Sequence, residues 1–116
     1  MQYLLLIYAN EKNQAGMPPA KQKEMMARWF EYTNELKEAG AYVGGNALQP
    51  TATATSVRLR NGERVVTDGP FAETKEQLGG YYLVEAENLD EALKWAAKCP
   101  GSTVGTMEVR PIMVFD

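Results

Sequence analysis

Five apolar residues in a row near the start, Leu4-Leu5-Leu6-Ile7-Tyr8, constrain this chain more than any other feature. A strand with one wet face alternates apolar and polar residues, so an unbroken run of strand length demands cover on both faces. Tyr81-Tyr82-Leu83-Val84 makes the same demand a second time. Only two long stretches carry helical periodicity, and 116 residues form one domain spanning 1–116 with a single core. Two helices can cover one face of a sheet. The other face needs a different cover, and the economical one is the same face of a second copy, giving a symmetric homodimer.

The remaining elements fall into order around those two strands. Asn10–Gly16 reads as a polar loop, and Pro18-Pro19 opens a helix where a proline N–H would be unpaired anyway. Met25, Met26, Trp29, Phe30, Thr33 and Leu36 then recur at helical spacing as a core stripe, and Gly40 closes the helix. Tyr42-Val43-Gly44-Gly45 predicts a strand whose glycines permit a bulge or a close backbone approach. TATATSVRLR and ERVVTD flank Asn61-Gly62, the strongest short hairpin signal, which pairs Arg60 with Glu63, Leu59 with Arg64, Arg58 with Val65 and Val57 with Val66. The hairpin arginines read as a solvated face with an ion pair at its rim. Asn88 with Glu91 three residues on predicts a capped second helix burying Leu89, Ala92, Leu93, Ala96 and a small apolar Cys99, ended by Pro100-Gly101. A last strand is expected over 103–114.

Strand, helix, strand, hairpin, strand, helix, strand is two βαβ-like halves with an inserted hairpin. That order predicts an α+β ferredoxin-like sandwich: an antiparallel sheet with both helices on one face. On the last strand Glu108 and Arg110 alternate with Met107 and Val109. A carboxylate and a guanidinium then point together from the uncovered face, either to line a ligand cleft or to set the register of two copies.

Composition removes much of the usual chemistry. The chain has no histidine and one cysteine, which excludes Ser-His-Asp and Cys-His triads and disulfides within the chain, and leaves neither metal site nor cofactor to expect. A net charge of −3 without a basic block argues against direct nucleic-acid binding. Apolar runs fall short of the roughly 20 residues of a membrane span, and MQYLLLIYANEKN lacks the basic start of a signal peptide. A cytoplasmic location is the expectation.

The run Val65-Val66-Thr67-Asp68-Gly69-Pro70-Phe71-Ala72-Glu73-Thr74-Lys75-Glu76-Gln77-Leu78-Gly79-Gly80-Tyr81-Tyr82 closely resembles the DGPF-type bacterial proteins of the YCII-related family. The likeness extends to MQYLLLIY, GAYVGGNALQPTATATSVR, LDEALKWAAKCP and MEVRPIM, nearly the whole chain. It implies a dimeric α+β barrel, and a dimer cleft whose suspected catalytic element in the wider family is a His-Asp pair. One such relative is linked to dehydrochlorination of a chlorinated hydroxyquinone. With no histidine the pair cannot be carried over.

Asp68 is the replacement candidate, a carboxylate that Pro70 and Phe71 could desolvate into a base. Glu73 or Lys75 would assist, Tyr82 would donate to a developing oxyanion, and Arg110 with Glu108 would hold an anionic or aromatic ligand. The competing reading makes Asp68 an Asx-turn cap of its own loop. Two functions are therefore carried forward. One is small-molecule binding in the dimer cleft, with or without carboxylate-based acid/base or elimination chemistry. The other is a non-catalytic module of sigma-factor-dependent transcription, since DGPF-type proteins occur beside such factors.

Overall fold

The computed structural model describes residues 1–115. Strand β1 (Gln2–Ala9) lies between two antiparallel neighbours, β5 (Gln77–Glu85) and β6 (Gly105–Pro111), and β2 (Tyr42–Ala47) flanks β5, so the sheet runs β2-β5-β1-β6. Two long helices, α2 (Pro19–Glu38) and α3 (Leu89–Lys98), pack on one face, with short turns α1 (Glu11–Ala15) and α4 (Gly101–Val104) beside them. The hairpin β3 (Thr55–Arg60) and β4 (Glu63–Asp68) forms a separate two-stranded sheet. This is the ferredoxin-like α+β sandwich that the element order predicts, with the hairpin inserted between its halves.

Side-chain parity decides which residues meet the helices. Tyr3 and Leu5 of β1 and Val84 of β5 point inward and are buried with Tyr32 and Leu36 of α2, Ala92 and Ala96 of α3, and Cys99 just past the end of α3. The two alanines let α3 lie close to the sheet. The Tyr32 hydroxyl donates to the Trp95 carbonyl at 2.7 Å, and Lys98 pairs with Glu35 at 3.0 Å, so the helices are tied to each other as well as to the strands. The ion pair is exposed and adds at most about 1 kcal/mol; apolar burial holds the layers together.

The opposite face of β1 carries Leu4, Leu6 and Tyr8, paired across the sheet with Leu83 and Tyr81 of β5 and beside Arg110 and Glu108 of β6. No helix covers it. Principal extents of 48 × 48 × 19 Å leave room for one helix layer on one sheet layer, so these side chains stay half-buried.

Several local expectations hold in detail. Asn61 and Gly62 both take positive φ, 54° and 80°, and the hairpin pairs in the register counted from them. Proline starts α2 and Gly40, at φ 71°, follows its end. The Asn88 side chain accepts from the Glu91 N–H at 3.0 Å, satisfying an orphan donor of α3. In β2 the pairing slips between Tyr42 and Gly44, the bulge that the glycines permit.

Other expectations need correction. Residues 11–15 are a helical turn rather than loop, because the Asn10 side chain accepts from the Asn13 N–H at 3.0 Å and caps it. Residues 51–53 form a 3-10 turn instead of the start of β3, and residues 101–104 are helical, so the last strand begins at Gly105 and ends at Pro111. Strand β5 begins at Gln77, ahead of the expected start at Tyr81, and includes Gly79 and Gly80. On α3 the buried line is Ala92 and Ala96, continued by Cys99 just past its end, while Leu89 and Leu93 remain exposed. The rim ion pair of the hairpin is absent among the described residues; the Arg60 guanidinium donates instead to the Leu59 carbonyl at 3.1 Å.

Candidate functional site

A cavity of about 490 Å³ opens between α2 and the covered face of the sheet, at the end where β1 runs into α1. Its origin lies in a mismatch of sizes along α2. The last two turns of that helix reach the sheet through Tyr32 and Leu36, but the stretch before them presents Met26, Trp29 and Phe30 over strands that carry glycine. A Cβ at Gly80 would stand 2.8 Å from the Asn46 carbonyl, and one at Gly45 2.9 Å from the Tyr81 carbonyl. The strands therefore need glycine at both positions to pair, and a floor without side chains leaves space under the helix. Phe30, 65% exposed, sits at the mouth.

The walls are aromatic. Trp29 and Tyr82 stack with centroids 6.3 Å apart, and Tyr42 meets the Tyr82 ring edge-on at the same separation. The Tyr82 hydroxyl lies 2.6 Å from Thr33 Oγ1, which itself donates to the Trp29 carbonyl at 3.0 Å. A threonine hydroxyl has one proton, so Tyr82 donates to Thr33 and keeps an accepting lone pair. Burial is the main cause that raises the Tyr82 pKa above the ordinary tyrosine value, with the Thr33 contact pulling the other way. Tyr82 is thus a neutral phenol whose proton is engaged.

The polar end is built by α1. Glu11 donates its N–H to Gln77 Oε1 at 2.9 Å, while its carboxylate accepts from the Thr51 N–H at 3.0 Å and the Thr51 hydroxyl at 3.1 Å. Gln77 Nε2 donates to the Thr74 carbonyl, and Asn10 Nδ2 to the Lys75 carbonyl. These bonds tie α1 to both chain segments that bracket the hairpin. Glu11 is the one carboxylate among the residues lining the cavity, and neither lysine nor arginine is among them.

The residues singled out from the sequence fall in three places. Tyr82 lines the cavity, with its hydroxyl against Thr33. Glu108 and Arg110 lie on the opposite, open face of the sheet; the Tyr8 hydroxyl donates to Glu108 at 3.2 Å, and no Glu108–Arg110 ion pair forms among the described residues. Burial, then the Glu108 contact, raises the Tyr8 pKa. Asp68, Phe71, Glu73 and Lys75 form the third group, all exposed on or after β4 and none lining the cavity.

Asp68 in particular fits neither reading. Phe71 is 78% exposed and cannot desolvate it, and its side chain makes no hydrogen bond among the described residues. The turn is secured through Gly69 instead, at φ 94°, whose N–H donates to the Ala54 carbonyl at 2.6 Å and whose carbonyl accepts from the Ser56 hydroxyl at 2.9 Å. Cys99 is the buried apolar residue expected, and burial pushes its thiol pKa up to about 11. No cluster of three or more metal-binding side chains occurs among the described residues, and no helix there is long and apolar enough to cross a membrane.

Comparison with known proteins places the fold and the lineage. The chain is 36% identical over 117 residues to an uncharacterised protein of Rhizobium meliloti (strain 1021), a match covering 99% of this chain and 94% of that one. Among solved structures it is similar to the 5-chloro-2-hydroxyhydroquinone dehydrochlorinase of Burkholderia phenoliruptrix AC1100 in complex with 2,5-dihydroxybenzoquinone. That match has a TM-score of 0.54 at 16% identity and covers 97% of this chain and 94% of that one, a likeness of fold. The family model of the YCII-related domain matches residues 1–116, from end to end, and the chain belongs to that family.

Proposed function

We propose that this protein binds a small planar molecule in the cavity under α2. The observation that carries the reading is the combination of volume and lining: about 490 Å³ lies within the roughly 300–1,000 Å³ typical of ligand sites, with aromatic walls and a few polar groups gathered at one end. The dehydrochlorinase of the same fold acts on a substituted aromatic ring, which supports an enzyme-like small-molecule role for this architecture. The site belongs to one protomer, whereas the sequence points to a cleft between two.

The two tryptophans give a direct test, since Trp29 lines the cavity and Trp95 does not. In a Trp95→Phe variant all tryptophan emission comes from Trp29. Saturable quenching by non-fluorescent phenols or anilines, lost on adding Thr33→Phe to fill the space, is the expected result. Emission that stays unchanged across the set overturns the reading.

The open face supports the homodimer as a separate proposal. Leu4, Leu6, Tyr81 and Leu83 form an apolar patch that no helix among the described residues covers, flanked by Glu108 and Arg110. A second copy laid on the same face would bury it, with Glu108 and Arg110 setting the register between copies. A monodisperse monomer by sedimentation equilibrium at micromolar concentration overturns this.

A further inference from the structure

We infer that the ligand of this cavity is a planar aromatic bearing a protonated amine, not the anion that a basic site would take. The inference rests on the cavity being a ligand site and adds the chemical class. Three observations converge on it.

The first is charge. Glu11 is the only acidic or basic side chain among the described residues lining the cavity, so they bring one carboxylate and no cation to offset a second anion. An entering carboxylate or phenolate would meet that charge across poorly screening aromatic walls, and an ammonium would be attracted by it. The second is the ring surface. Trp29 and Tyr82 present π-systems whose negative faces favour cations, Trp most of all.

The third is the direction of the hydrogen bonds. Thr33 spends its proton on the Trp29 carbonyl and Tyr82 spends its own on Thr33, so both hydroxyls keep only lone pairs. Each Glu11 oxygen accepts one bond from Thr51 and has a further lone pair. Glu11, Thr33 and Tyr82 thus offer the cavity lone pairs. A ligand rich in N–H groups satisfies them; an anion, which only accepts, does not.

Titration calorimetry at pH 7 and low ionic strength with three probes of one shape tests this: 2-phenylethylamine, 2-phenylethanol and phenylacetate. The amine is expected to bind at least about tenfold more tightly than phenylacetate, with the alcohol between them. In Glu11→Gln, which keeps an acceptor for the Thr51 N–H, the amine should fall to within about twofold of the alcohol measured in the same variant. Phenylacetate binding as tightly as the amine, or an amine advantage that survives in Glu11→Gln, overturns the class while leaving the cavity a ligand site. Failure of all three probes to bind, beside an unquenched Trp29, overturns both.

Discussion

Leu5 and Leu6 are neighbours in β1 with the same side chain, yet Leu5 is fully buried beneath the helices while Leu6 stands half-buried beside Glu108 on a face with nothing over it. Their strand is equally apolar on both parities, so the difference comes from the supply of helices and not from the strand. The covered face is itself uneven. Small residues on α3 and large ones on the last two turns of α2 close it, whereas the large residues before them, above glycine, leave it hollow. One sheet thus presents a packed core, a cavity and an open apolar patch, and each answers differently to substitution.

The largest effect is expected where packing is tightest. Leu5→Ala should cost about 2–5 kcal/mol by urea denaturation, because its surroundings are held by the sheet on one side and two helices on the other. If Leu6→Ala costs as much at the same micromolar concentration, the two faces are equivalent and the contrast fails.

Alkaline pH should single out the covered face next. The Cys99 thiol is raised to about 11 from 9.0 by burial, and burial raises Tyr32 in the same direction. Below pH 9 the thiol is protonated folded or unfolded and its stabilising share is complete. Between pH 9 and 11 the unfolded chain loses that proton and the folded chain keeps it, so stability falls by about 1.4 kcal/mol per pH unit, roughly 2–3 kcal/mol in all. Denaturation curves at pH 8, 9.5 and 10.5 read this decline, and Cys99→Ala should flatten it up to about pH 10, where Tyr32 takes over. A flat profile in the parent protein contradicts the burial assigned to Cys99.

How far the sequence could be read follows the same division. Features written in neighbouring residues came through: the Asn61-Gly62 register, the Asn88 cap, the proline start of α2, the double-sided apolarity of β1. Helix α1 did not, since five residues are too few for periodicity, although Asn10 three residues before Asn13 is a capping pattern that could have shown it. The candidate site was the least legible part. It is assembled from Glu11, Trp29, Thr33, Gly45, Gln77 and Gly101, positions that only the folded sheet brings together. The Gly44-Gly45 pair marked a close approach of strands but not the hollow above it. DGPF drew attention as chemistry, while its physical work is a turn carried by the positive φ of Gly69. Asp68 at the first position of the motif points into solvent.

A smaller change probes the cavity wall. Thr33→Val keeps the shape but removes the acceptor of the Tyr82 proton, and should cost about 1–2 kcal/mol if that hydroxyl is left dry. Adding Tyr82→Phe removes both partners and should recover part of the loss. A Thr33→Val variant as stable as its parent shows that water from the mouth reaches Tyr82, which makes the cavity wetter than its aromatic lining suggests.

The smallest expected effect belongs to the hairpin. Leu59 is 67% exposed on a two-stranded sheet of its own, where no core is disturbed, and such isolated hairpins contribute little stability. Leu59→Ser should therefore lie within about 0.5 kcal/mol of the parent at low protein concentration. The informative measurement is the same difference at a hundredfold higher concentration. If it stays small, the hairpin is solvated in every state of the protein. If it grows with concentration alongside that of Leu6→Ser, the hairpin and the open face are covered by one association, and the uncovered regions of the protomer are the two parts of a single interface.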